Sequence, residues 1–175
     1  MTTTTYKSTA ITNLDATPVV TPTTGKGAAG RLLHVNGHYT APVTAGTNTS
    51  IIRLARIPTT AKVKAVRVEG AALTKGLFNV GLYWSTSTVD GTPADRVGSV
   101  VDLDFFGTSV SFASAVAKTD VTNESGTYTV DKRNTEIWSA AGVTANYGGY
   151  FDVALTNVAT VSVAGFVSAE VDFVP

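Results

Sequence analysis

The chain has 175 residues, 13 Lys and Arg against 13 Asp and Glu, and no cysteine. A domain of this length buries roughly 70% of its unfolded surface, so it needs no disulfide, and the lack of thiols excludes thiolate metal sites. The first residues lack the apolar core of a signal peptide, and no apolar run reaches the roughly 18 residues of a membrane span. We therefore expect neither secretion nor a membrane partner.

The charges divide unevenly along the chain although their sum is zero. Residues 1–75 hold nine Lys or Arg and two Asp or Glu, a net charge of +7, whereas residues 76–175 hold four and eleven, a net charge of −7. Strands of one domain that pair across the sign change would explain the division. The alternative is a head-to-tail contact in which surfaces of opposite sign meet between copies.

Residues 1–30 differ in composition from the rest of the chain, with many threonines, two prolines and clustered glycines. Such a segment forms either a flexible tail or an extended N-terminal arm that becomes ordered against a partner. The apolar anchors of an arm would be Ile11, Leu14, Val19 and Val20. Gly25 to Gly30 match G-x-G-x-x-G, but no strand pattern precedes them and no helix pattern follows, so we interpret them as a hinge rather than a nucleotide site.

From residue 31 onward the pattern predicts a sandwich domain over 31–175. Asn36-Gly37 is typical of a tight turn between two strands. Residues 50–57 and 62–69 predict strands joined by a turn at Pro58. The second of these strands changes phase, which indicates either a β-bulge or a strand buried on both faces.

The remaining segments predict further strands and one or two short helices. Residues 107–121 fit a short helix, and a second helix is expected between an Asn134 N-cap and Gly142. Residues 150–157 and 160–174 alternate with a period of two and predict a closing hairpin. The whole predicts an all-β fold, an antiparallel β-sandwich with jelly-roll topology as the expected form.

No combination of residues indicates catalysis, a cofactor or a metal. His34 and His38 lack a third ligand, and the carboxylate pairs (Asp102 with Asp104, Asp90 with Asp95) carry no hydrolase or calcium motif. We expect these groups to be solvated or structural, and we expect no enzymatic activity.

Five cations lie within fifteen residues of one another. They are Arg53, Arg56, Lys62, Lys64 and Arg67. No aromatic residues alternate with them and strand alternation would divide them between two faces, so nucleic acid is not the expected partner. An acidic protein surface and ordinary solvation remain the two interpretations.

Two blocks carry a resemblance to a known class of protein. They are SIIRLARIPTTAKVKAVRVEGAALTKGLFNVGLYWS (50–85) and TEIWSAAGVTANYGGYFDVALTNVATVSVAGFVSAEVDFV (135–174). The first resembles a strand, Pro and small-residue turn, strand pattern of tailed-bacteriophage head proteins. The second is similar to their closing segment at Trp138, Ala141, Gly142, Tyr150, Asp152 and Gly165.

The resemblance is to capsid decoration, or cement, proteins. It implies a virion structural protein that binds the major capsid protein on the capsid surface, that is often a homotrimer, and that is assembled in the host cytoplasm. The alternative is a host-recognition or carbohydrate-binding module of a fibre or spike, with Tyr83, Trp84, Tyr147 and Tyr150 as a sugar-stacking platform.

Overall fold

A computed structural model describes residues 5–7, 9–16, 31–41, 50–159 and 164–175. Within these ranges the chain forms nine strands and two α-helices. The strands are β1 (Thr5–Lys7), β2 (Leu33–Ala41), β3 (Ile51–Pro58), β4 (Lys62–Gly70), β5 (Leu77–Trp84), β6 (Val100–Ser111), β7 (Val116–Asp120), β8 (Tyr150–Asn157) and β9 (Gly165–Val174). The helices are α1 (Thr9–Leu14) and α2 (Ile137–Ala140), and a 3₁₀ helix spans Val130–Asn134.

The strands form two sheets, so the predicted β-sandwich is confirmed. Sheet A has the order β1-β3-β8-β5-β6, and sheet B has the order β2-β9-β4-β7. All neighbours are antiparallel except β1, which runs parallel to β3. The predicted closing hairpin is wrong, because β8 lies in sheet A and β9 lies in sheet B. Each of these strands already has a partner on both of its edges.

The core lies between the sheets and follows the alternation of the strands. In β8 the inward residues are Phe151, Val153 and Leu155, all without exposed surface. In β9 the buried apolar positions are Val167, Ala169, Val171 and Phe173. Truncation of one such Leu to Ala costs about 2–5 kcal/mol, because the cavity left behind collapses only in part.

The predicted turn at Asn36-Gly37 is wrong, because β2 runs through it and pairs with β9 over nine residues without interruption. A side chain at Gly37 would place its Cβ 1.7 Å from the carbonyl oxygen of Leu54. Glycine is therefore needed here for the close passage of β2 over β3, and not for a turn.

Local details of the remaining segments agree with the sequence in part. The β-bulge expected in the strand after Pro58 is confirmed, since the register of β4 against β9 shifts between Val63 and Ala65. The helix expected in residues 107–121 is wrong, because β6 continues to Ser111 and β7 follows. The N-cap expected at Asn134 is wrong, because Asn134 is the last residue of the 3₁₀ helix and Glu136 is the N-cap of α2. Gly142 follows α2 with a φ of 72°, as a helix-ending glycine does.

Candidate interaction surface and its ionic anchor

The N-terminal segment, which we define as residues 5–7 and 9–16, packs on one edge of the sandwich. Thr5–Lys7 pair in parallel with Ile51–Arg53, so this segment supplies the edge strand of sheet A. Ile11 of α1 has no exposed surface, and the ring of Tyr6 lies 5.4 Å from that of Tyr39 in β2. The segment thus contacts both sheets.

A β-bulge brings two arginines of β3 to the same face of sheet A. Residues three apart normally point to opposite faces of a strand. The register of β3 against β8 shifts between Arg53 and Ala55, so Arg53 lies opposite Ala154 and Arg56 lies opposite Asp152. The extra residue therefore aims both guanidinium groups at the carboxylate of Asp152.

These groups form an ion cluster beneath the surface. Arg56 donates from Nε to Asp152 Oδ1 at 2.7 Å and from Nη2 to Oδ2 at 3.1 Å, and Arg53 Nη1 donates to Oδ2 at 3.1 Å. Arg53 also donates to the carbonyl oxygens of Trp84 and Gly98, both at 2.8 Å. The side chain of Asp152 is 0% exposed, and those of both arginines are 2% exposed. Buried charges of this kind need such partners, although Arg53 Nε is buried without a hydrogen-bond acceptor among the described residues.

Asp15 joins the N-terminal segment to this cluster. Its Oδ1 accepts from Arg56 Nη1 at 2.7 Å, and its Oδ2 accepts from Lys7 Nζ at 2.7 Å and from the hydroxyl of Thr86. We call Asp15, Arg53, Arg56 and Asp152 the anchor cluster. The segment is therefore attached by apolar contact at one point and by charge at another.

The pKa values of the anchor cluster follow from burial and pairing. Burial acts to raise the pKa of Asp15, but hydrogen bonds from Lys7, Thr86 and Arg56 outweigh it and lower the pKa below its ordinary value of 3.8. Burial acts to lower the pKa of Arg56, but its hydrogen bonds to Asp152 and Asp15 raise it. Both groups are thus charged at neutral pH.

The five cations of the sequence do not form one surface. Arg53 and Arg56 are committed to internal pairs, whereas Lys62, Lys64 and Arg67 lie half-buried on β4 in sheet B. Lys64 Nζ donates to the carbonyl oxygen of Arg133 and to Asn134 Oδ1, both at 2.7 Å. It thereby holds the 3₁₀ helix against β4.

The apolar anchors expected in the arm fall partly within the described residues. Ile11 is buried against its own chain. Leu14 is the last residue of α1. Val19 and Val20, and the glycine motif at 25–30, lie outside the described residues.

The outer face of sheet B carries exposed polar groups. His34 Nδ1 lies 2.8 Å from Asp172 Oδ1, and Arg67 Nη1 donates to Asp172 Oδ2 at 2.7 Å. His38 stacks on Phe166 with the ring centroids 5.4 Å apart. The two histidines share this face, but four residues of strand separate their Cα atoms by about 13 Å. No group of three or more metal-ligating side chains occurs within the described ranges.

Of the carboxylate pairs considered in the sequence, Asp102 and Asp90 accept hydrogen bonds from their own strand or loop. Asp104 N donates to Asp102 Oδ1 at 3.2 Å, and burial raises the pKa of Asp102. Asp90 accepts from the hydroxyl of Ser85 and from the backbone of Thr92, so it stabilises its own loop.

The aromatic residues proposed as a sugar platform are divided by burial. Tyr83 and Trp84 are buried, and the hydroxyl of Tyr83 lies 2.6 Å from that of Thr156. Tyr147 and Tyr150 remain partly exposed. The guanidinium carbon of Arg96 lies 4.0 Å from the ring centroid of Tyr147 and 5.5 Å from that of Trp84, so Arg96 packs against both rings.

Sequence reasoning found the two arginines but missed their partners. Asp152 lies within a strand whose other residues are almost all buried, and a charge in such a strand signals an internal partner. Asp15 lies in a threonine-rich segment without a strong pattern. Its role depends on the position of Arg56, which is 41 residues away.

Comparison with known structures shows where this architecture occurs. A chain in the capsid of Ralstonia phage GP4 is similar, with a TM-score of 0.62 and 14% identity over 97% of this chain and 97% of that chain. A chain in the capsid asymmetric unit of cyanophage Pam1 has a TM-score of 0.45 and 16% identity over 88% of this chain and 92% of that chain. No protein-family model and no curated protein matches the sequence.

The first of these likenesses establishes a shared fold. The structural resemblance to phage capsid proteins, which the sequence indicated at residues 50–85 and 135–174, is therefore confirmed at the level of the fold. Within the described parts of the chain, no helix is both long and apolar enough to span a membrane.

Proposed function

We propose that the chain is a virion structural protein that binds the outside of an assembled phage capsid and stabilises it without catalysis. The observation that carries this proposal is the fold shared with a chain of the Ralstonia phage GP4 capsid over nearly the full length of both. A fold alone does not imply a function. The proposal is supported further by described side chains that are paired structurally rather than arranged around a reactive group.

We infer in addition that the sandwich is a jelly roll. Four of the antiparallel pairs are nested along the chain, namely β2 with β9, β3 with β8, β4 with β7 and β5 with β6, and the pairs β4 with β9 and β5 with β8 join them within each sheet. The strands thus pair from the outermost to the innermost along the chain. This is the pattern of a jelly roll, in which one long antiparallel hairpin folds over into two sheets.

The proposed partner is the major capsid protein, and the proposed state on the capsid surface is a homotrimer, with assembly in the host cytoplasm. A ligand that binds only the assembled shell stabilises it by mass action, and several contacts per oligomer add avidity. We propose that Lys62 and Arg67, which are partly exposed on β4, contact an acidic capsid surface. Val19 and Val20 remain proposed contacts of the arm.

The test is a binding assay with purified empty heads of the encoding phage. Cosedimentation of the chain with heads, together with an increase in the temperature at which they break open, would support the proposal. Heads that neither bind the chain nor gain stability at saturating concentration would refute it.

Charge-reversed variants test the proposed contact separately. Lys62→Glu combined with Arg67→Glu should weaken head binding at least tenfold. The matched control is Lys75→Glu, which changes an exposed lysine outside β4. Equal binding by both proteins would place the contact elsewhere.

A further inference from the structure

The N-terminal segment occupies a receptor site that is built by the rest of the chain. The site consists of the β3 edge at residues 51–53, the parts of β2 and β3 that contact α1 with its buried Ile11, and the guanidinium of Arg56 with the hydroxyl of Thr86. Without the segment, the edge of β3 would expose unpaired backbone groups, and Arg56 and Thr86 would lose the carboxylate of Asp15. The site is therefore incomplete without an occupant.

The charges of the N-terminal segment are balanced, so the segment can move from one copy to another without leaving a net charge behind. The segment brings one cation, Lys7, and one anion, Asp15, and these two pair with each other at 2.7 Å. The groups that remain are also balanced, because Arg53 and Arg56 face Asp152 at 3.1 Å and 2.7 Å, with Asp90 3.5 Å from Arg56. The segment can thus leave one site and enter an identical one without a change of net charge on either side.

The connection to the sandwich is longer than a local connection requires. α1 contacts β2 directly, yet sixteen residues, 17–32, separate Ala16 from the start of β2. A chain of that length reaches up to about 50 Å when extended. That reach is larger than the diameter of a domain of this size, so a neighbouring copy lies within range.

We infer that the receptor site on β3 accepts the N-terminal segment of a second copy of this chain, so that copies are linked by exchanged segments. The inference rests on the proposed function, which brings copies together on a lattice. Every contact of the segment is reproduced in the neighbouring site, and only the entropy of the connecting residues differs. Exchange of an identical element is therefore a low-cost route to linked copies.

The absence of cysteine allows a direct test. Thr5 and Ile51 are register partners in the β1–β3 pair, and each is replaced by Cys in a separate chain. The two chains are refolded together and treated with a short bismaleimide, both in concentrated solution and on heads. Because each chain has one thiol, a Thr5→Cys to Ile51→Cys crosslink forms only when the segment of one copy lies on the other.

The expected result is a covalent mixed dimer in at least one of the two settings. Adding Asp15→Ala to the Thr5→Cys chain should lower its yield several-fold, because the segment then loses its charged attachment. The chain that carries both cysteines serves as the control, since it crosslinks within a monomer if the segment stays on its own sandwich. No mixed dimer in either setting, with efficient crosslinking inside that monomer, would overturn the inference. Head binding by the unmodified chain is measured separately, so a negative crosslinking result would refute segment exchange without refuting the proposed function.

Discussion

Replacement of Asp152 by Asn tests whether the anchor cluster stabilises the sandwich. The substitution keeps the shape of the side chain and removes its charge. Arg53 then keeps only neutral acceptors, the carbonyl oxygens of Trp84 and Gly98, whereas Arg56 keeps Asp15 at 2.7 Å. Removing one partner of a buried ion pair costs about 3–5 kcal/mol, because the remaining charge stays desolvated.

Urea unfolding followed by circular dichroism measures this cost. With a slope of about 2.5 kcal/mol per M urea, we expect the midpoint to fall by about 1–2 M. Asp95→Asn is the control, because that side chain is 77% exposed and lies 3.9 Å from Arg96. Its expected cost is below about 0.5 kcal/mol.

A triple variant tests whether Asp152→Asn is destabilising because it leaves unpaired buried charge or because it disturbs the packing. Arg53→Met, Arg56→Met and Asp152→Leu together replace the buried ions by apolar groups of similar size, and such replacements are often neutral or stabilising. The triple variant should therefore be more stable than Asp152→Asn alone. The reasoning would be refuted if Asp152→Asn unfolded within about 1 kcal/mol of the unmodified protein.

Three further predictions concern β2 and the N-terminal segment. Gly37→Ala should destabilise the fold by several kcal/mol, because its Cβ meets the carbonyl of Leu54 at 1.7 Å; an unchanged melting temperature would contradict this. Folding lowers the pKa of Asp15, so the stabilisation that its carboxylate provides is present above pH 3.8 and is lost as the pH falls through the folded pKa. Amide exchange in residues 5–7 should therefore accelerate as the pH falls through that range. Asp15→Asn should abolish this pH dependence. Deletion of residues 1–30 should leave a folded sandwich by circular dichroism with weaker attachment to heads; undiminished attachment would show that the arm does not contribute.

Local patterns in the chain predicted much of the fold. The alternation of residues 160–174 identified the inward face of β9, and the phase change after Lys62 indicated the bulge in β4. The same kind of reasoning failed at Asn36-Gly37. A glycine that permits a turn and a glycine that permits a close crossing are identical in sequence, and only the position of Leu54 distinguishes them.

The sequence predicted the anchor cluster less well than it predicted the fold. Arg53 and Arg56 were expected on a surface, because strand alternation and their positive charge gave no sign of an internal partner. The bulge between them and the carboxylate of Asp152 decide their burial.

The amino-acid sequence by itself determined that this protein is built from strands and which side of β8 and β9 faces the core. That information is local, because successive side chains of a strand point to opposite faces whatever the strand pairs with. Only the tertiary structure decided that β8 and β9 belong to different sheets and that Asp152 neutralises Arg53, 99 residues away. Pairing and charge burial depend on contacts between distant segments, and those contacts are set by the packing of the whole domain.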